Sequence, residues 1–401
     1  MRIAKGETGT MLLPWSSSGE RKRRHIAVDG AVLTVTVALA LVGLIMVFSA
    51  SAVVAGTRFH DSIYFLKRQV AWLAVGFLLL HVVSRVNYAV WRRLAVPMLL
   101  LTAIMLIVVL IPSLGVVAKG ARRWLRLGMI SVQPAELLKL AAVVYLASYL
   151  ARKEDRLAQF RTGLLPPLMV VGAIGGLVLL QPDLGTVIVV GVVMLAMLYL
   201  AGARLGHLAA IVLVAFPVAA VLILRSSYRR QRLMSFLEPW KDAADSGFQV
   251  TQSFLAFGSG GLFGVGLGEG KQKLFFLPEA HTDFVLALVG EELGLVGAAG
   301  IMLLFGLLVL KGFRVAGTAR EPFGRHLALG ITLLIGVQAL INACVVTGLM
   351  PTKGLTLPLV SYGGSSLVVS LLGIGMLLSV SRDRHLGHQR TSYGGDRIGP
   401  G

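Results

Sequence analysis

The sequence predicts an all-α polytopic membrane protein with ten transmembrane helices, N-in and C-in, and a long extracytoplasmic loop between spans seven and eight. Three observations predict it. Hydrophobic residues fill 56% of the 401 positions and charged residues only 14%, too apolar a balance for an ordinary soluble domain. Apolar stretches of roughly 17–25 residues, the length that crosses a hydrocarbon core as a helix, recur along nearly the whole chain. Lys and Arg occur in every connection that this orientation places inside, as short cytoplasmic loops require.

The apolar segments lie at about 31–53, 68–86, 93–112, 134–151, 164–180, 184–201, 206–224, 283–310, 326–349 and 358–381. The first follows Arg21-Lys22-Arg23-Arg24 and is too long for the apolar core of a cleaved signal peptide, so a retained span is expected. Residues 1–28 then form a basic cytoplasmic tail, 29–382 one ten-span domain that includes the outer loop 225–282, and 383–401 a cytoplasmic C-terminal tail. The single cysteine, Cys344, permits no intrachain disulfide. The eight histidines are scattered without metal-ligand spacing. The net charge of +19 is accounted for by topology and by membrane lipids with anionic headgroups; no nucleic-acid motif accompanies it.

The outer face carries cations against the topological rule. Lys119, Arg122, Arg123 and Arg126 lie between spans three and four. Arg225, Arg229, Arg230, Arg232, Lys241, Lys271 and Lys273 lie between seven and eight. Such cations suit a phosphate group or anionic lipid. On the same face, Pro278-Glu279-Ala280-His281-Thr282-Asp283-Phe284 sets a carboxylate at the mouth of an apolar run. A helix opening at Pro278 would put Glu279 and Asp283 four apart on one side. The pair either stabilises a helix N-terminus or supplies a general base, Asp283, whose pKa the dipole lowers and desolvation raises. Glu291 and Glu292, on a continuous helix, would lie about 12–13 Å further along the axis. That is too far for the second acid of a two-carboxylate glycosidase, and a structural polar seam is expected of them.

Gln133-Pro134-Ala135-Glu136-Leu137-Leu138-Lys139 opens span four, with Glu136 and Lys139 on one face as an internal ion pair or a phosphate-neutralising group. Gln181-Pro182-Asp183-Leu184-Gly185-Thr186 reads as a tight turn in which Asp183 caps span six. The glycine-rich run 258–270 is no P-loop, since Gly270-Lys271 precedes Gln272 and position 265 is Val. It reads as a re-entrant or interfacial loop. Ser361-Tyr362-Gly363-Gly364-Ser365-Ser366 offers small residues for close helix packing or hydroxyls for a polar cavity.

In order and spacing these motifs resemble the FtsW/RodA (SEDS) family. The resemblance is carried by Gly120-Ala121-Arg122-Arg123-Trp124, Gln133 through Glu136 with Lys139, and Gln181 through Thr186. It continues with Arg232 through Trp240, Gln249 with Gln252-Ser253, Leu277 through Phe284, Gly348 through Gly354, and Pro358 through Ser366. Ala135 departs from the family's usual serine. The resemblance implies a peptidoglycan glycosyltransferase that polymerises lipid II outside the bacterial cytoplasmic membrane, with Asp283 as the essential acid. It implies a candidate substrate-binding set of Arg122, Arg123, Glu136, Lys139, Gln249, Gln252, Ser253, His281, Thr282, Lys353, Ser361 and Ser365. It also implies a class B penicillin-binding protein and other divisome proteins as partners. Met350 through Leu357 looks more like the division member than the elongation or sporulation members. No carboxylate cluster marks a dedicated metal site, and a divalent cation (Mg or Mn) is the only cofactor expected. The rival class is a lipid II flippase.

Overall fold

The computed structural model describes residues 29–118, 121–128, 130–241, 243, 247–274 and 276–394, with side chains described to residue 382. The expected cytoplasmic tail 1–28 lies outside them, as do Lys119 and Gly120.

Every apolar segment of the sequence is helical. The helices are α1 (Gly30–Phe59), α2 (Tyr64–Arg85), α3 (Ala89–Leu110), α4 (Pro134–Lys153), α5 (Leu165–Leu179), α6 (Leu184–Leu200) and α7 (Leu205–Leu224). They continue with α8 (Ser227–Leu237), α9 (Phe248–Gly260), α10 (Val285–Glu292), α11 (Gly294–Gly317), α12 (Pro322–Val346) and α13 (Gly364–Gly394). Among the described residues nine helices are long and apolar enough to cross a membrane, and α6 is a shorter apolar helix. The helical class therefore holds.

Four local features differ from expectation. The connection from α3 to α4 is an antiparallel three-stranded sheet, β1 (Gly115–Ala118), β2 (Ala121–Leu127) and β3 (Ile130–Val132), in the order β1-β2-β3. The eighth segment is two helices, α10 and α11, separated at Leu293. α13 opens at Gly364, not near 358, and its backbone runs on to Gly394, well into the expected tail 383–401. The loop 225–282 contains two helices, α8 and α9.

α4 is the most enclosed of the long helices and α7 the least. The sequence explains the difference. α4 carries Glu136 and Lys139, which need protein partners, whereas α7 contains no Asp, Glu, Lys or Arg and is almost wholly apolar, so lipid can surround it. Long-range hydrogen bonds tie the motif-bearing connections to one end of the bundle. Gln69 Nε2 donates to the Ser361 carbonyl, Gln133 N to Ser365 Oγ, and Tyr362 N to the His281 carbonyl. At the other end the Arg382 guanidinium meets the Arg85 carbonyl.

Candidate functional site

The site is built around an irregular strap, residues 351–357, between α12 and α13. A segment outside helix and sheet leaves carbonyls without regular partners, and here α12 supplies donors. Gln338 and Asn342 stand four residues apart on one face of a largely apolar helix. Gln338 Nε2 donates to the Thr356 carbonyl at 2.9 Å. Asn342 Nδ2 donates to the Leu355 carbonyl at 2.7 Å and to the Asp283 carbonyl at 2.9 Å. One buried amide thus joins the strap to the backbone of the candidate base. Sequence reasoning missed both residues. The signal was there: two amides at helical spacing inside an apolar segment, which a membrane span does not carry without a partner.

Asp283 is half-buried in a turn, two residues before α10 begins at Val285. The expected helix opening at Pro278 is absent. Glu279 instead adopts φ 58°, and its carbonyl accepts from Thr282 N. Thr282 Oγ1 lies 3.0 Å from Glu279 Oε2. Glu279 and Asp283 are therefore not neighbours on a helical face. The Asp283 carboxylate lies against the strap, where a Cβ added at Gly354 would stand 3.3 Å from Asp283 Oδ2. Gly354 has φ 65°, a conformation that glycine adopts without a Cβ penalty. Next to it, burial holds the Lys353 ammonium below the usual lysine range.

Asp283 is flanked on its N-terminal side by rings. His281 lies 4.8 Å from Phe65 and 5.7 Å from Tyr362 between centroids. Burial raises the Tyr362 phenol against the opposing charge of Arg68, so it stays protonated. Ser361 Oγ accepts from Leu357 N, and Ser365 Oγ from Gln133 N. Thr356 Oγ1 and Ser366 Oγ are 2.9 Å apart. The Ser361–Ser366 hydroxyls thus serve the strap and the start of α4.

The expected cations are distributed unevenly. Lys139 is only 2% exposed, 2.8 Å from Glu136 Oε1 and 2.8 Å from Gln338 Oε1. The ion pair is internal, and through Gln338 it supports the strap. Arg123 falls where the β1–β2 register shifts, since Val116 pairs Trp124 while Val117 pairs Arg122. Such a bulge re-aims its extra side chain. Arg123 donates through Nε to the Gln181 carbonyl at 2.9 Å and through Nη2 to that of Pro182 at 2.6 Å. That turn leads into α6, where Asp183 caps Thr186 as expected, and Gly185 approaches the Lys353 carbonyl. Arg232, on α8, donates to the Thr352 carbonyl at 3.1 Å. Arg122 is half-buried on β2. On α9, Ser253 Oγ donates to the Val346 carbonyl at 2.7 Å, and Gln249 and Gln252 are half-buried. Arg232 therefore reaches the strap directly, Lys139 through Gln338, and Arg123 through the turn that leads to Gly185.

A family model described as cell cycle protein, FtsW/RodA/SpoVE, matches residues 30–386. The chain belongs to this family. A relative from Geobacter sulfurreducens, named probable peptidoglycan glycosyltransferase FtsW, is 49% identical over 88% of this chain and 95% of its own length. Stage V sporulation protein E of Bacillus subtilis is 42% identical over 88% and 97%. Among solved structures, Thermus thermophilus RodA is 31% identical, with a TM-score of 0.67 over 89% of this chain and 98% of that one. A chain from a peptidoglycan synthase complex that coordinates polymerization and crosslinking matches at TM-score 0.74 and 29% identity, with the same coverages.

Proposed function

We propose that this chain extends a glycan from lipid II at the outer face of the bacterial cytoplasmic membrane, with Asp283 as general base. The coarser level follows from the family: the chain is a multi-pass membrane peptidoglycan glycosyltransferase. The finer level rests on one observation, a half-buried carboxylate held through its own carbonyl by Asn342 and set against a strap that carries Lys353.

The reaction forms a β-1,4 glycosidic bond and breaks the anomeric carbon–phosphate oxygen bond of the growing chain's undecaprenyl pyrophosphate. Asp283 accepts the proton of the incoming sugar's 4-hydroxyl as that oxygen attacks with inversion. The electron pair leaves with the pyrophosphate, and charge builds on its oxygens. Lys353 and Arg122 are the cations assigned to that charge. Arg123 and Lys139 act at one remove, since their donors already hold the 181–182 carbonyls, Glu136 and Gln338. Among the described residues no three His, Cys, Asp or Glu side chains gather into a metal-holding group. A divalent cation would accordingly travel with the pyrophosphate.

The first relatives carry the division name, which favours septal synthesis with other divisome proteins. The match to a complex that also crosslinks favours a transpeptidase of the class B penicillin-binding type as partner. The test is purified chain with that partner and lipid II. Correctly folded Asp283→Asn should polymerise at least about 100-fold more slowly, and polymer at the parental rate from this variant would refute the assignment.

A further inference from the structure

Just past the glycine-rich run the backbone does bind an anion, but the anion belongs to the chain. Lys271 N and Gln272 N donate to the Glu291 carboxylate at 2.7 and 3.2 Å. Beside it, Glu292 is 0% exposed and lies 2.8 Å from the Lys273 ammonium. Ser49 of α1 donates to both oxygens of Glu292 and accepts from Lys273 at 3.1 Å. Lys273 also donates to the Gly268 carbonyl. Lys273, which the sequence offers as a cation for an external anion, is thus occupied internally.

These contacts sit where the eighth apolar segment breaks. The break removes helical partners from four backbone groups, and the glycine-rich loop replaces them. Val265 N donates to the Glu291 carbonyl at 3.0 Å and Gly266 N to that of Glu292 at 3.1 Å. Leu295 N and Val296 N donate to the carbonyls of Gly261 and Leu262 at 2.9 and 3.1 Å. Backbone at membrane depth is stable only when so repaired. Gly294 takes φ 70°, and a Cβ at Gly264 would strike the Glu292 carbonyl. Glycine is required at both positions by geometry. α10, the eight-residue helix that follows Phe284 and ends at this junction, is wholly buried. It is fixed at its start by Asn342 and at its end by Glu291 and Glu292.

We propose that Lys273, Glu292 and Ser49 form a latch that positions Asp283: by holding the loop in the break they set the orientation of α10, and with it the carboxylate at its head. The inference rests on Asp283 being the base. All three are positioning residues, acting through α10 without touching substrate. A displacement of about 1 Å at a reacting group costs up to about 100-fold in rate.

The test uses full-length chain with its transpeptidase partner, lipid II as substrate, and kcat and KM measured separately. Glu292→Gln and Lys273→Gln should each lower kcat by about tenfold or more with KM within about threefold. Exchange of Lys273 and Glu292 (K273E with E292K) should recover part of the loss. Ser49→Ala keeps both charges in place and guards against misfolding of the others; it should lower kcat by about three- to tenfold. Hydrogen exchange at Val265 and Gly266 should quicken in each single variant. Parental kcat in Ser49→Ala together with either latch variant, while Asp283→Asn is inactive, overturns the latch and leaves the base intact. Activity of Asp283→Asn overturns the base. A loss in the single variants with no recovery in the exchange, and no change at Val265 and Gly266, also overturns the latch.

Discussion

Asp283 and Glu292 stand just outside and at the end of one short helix, and the fold treats them oppositely. Glu292 is sealed from solvent, paired with Lys273 and bonded to Ser49. Asp283 is half-buried, held by its backbone, with its carboxylate against a glycine. A paired, buried acid has its lone pairs committed and cannot be spared without a large loss of stability. An acid fixed by its carbonyl can exchange a proton while its position is kept. The difference separates a carboxylate committed to the structure from the one proposed as base.

Substitution should break the two ends differently. Asp283→Asn is expected to cost about 10²–10⁴ in polymerisation rate or more, with a thermal midpoint close to parental. Glu292→Gln should strand the Lys273 charge and destabilise by about 3–5 kcal/mol, read as a lowered midpoint in detergent. If the two variants showed the same balance of lost activity and lost stability, the contrast would fail. Asn342→Leu removes a donor shared by Asp283 and Leu355 and should cost about 1–3 kcal/mol, with kcat falling more than KM changes.

Gly354→Ala places a methyl beside Asp283 Oδ2 at a positive φ and should cost about 1–2 kcal/mol, with a measurable loss of kcat. The pH profile gives the subtlest test. Burial disfavours the charged form of Lys353, so it deprotonates below the ordinary lysine range. kcat/KM should therefore fall as pH rises through that lowered value, and Lys353→Arg should move the alkaline limb upward. The same shift makes folding stability rise with pH between the lowered and ordinary values, because the unfolded chain binds the extra proton there.

Much of the site was legible in the chain. Asp183 as a cap and Glu136 with Lys139 as an ion pair follow from spacing within one helix, and the structure has both. The structural reading of Glu291 and Glu292 follows from their distance along the chain from Asp283, and they indeed anchor a loop. The internal acceptors of Arg123 were not legible because they depend on a bulge between strands and on a turn far along the chain. Gln338 and Asn342 were overlooked because an amide in an apolar run advertises no charge.

The sequence by itself determined the membrane class, the helical segments and the residue types available for chemistry, because hydropathy and periodicity are local properties. Only the tertiary structure decided which carboxylate is fully sealed and which is half-buried. It also decided that the eighth segment is two helices whose break is bridged by the glycine-rich loop. Those outcomes depend on long-range hydrogen bonds, where each buried polar group takes whatever partner the packed bundle brings within reach.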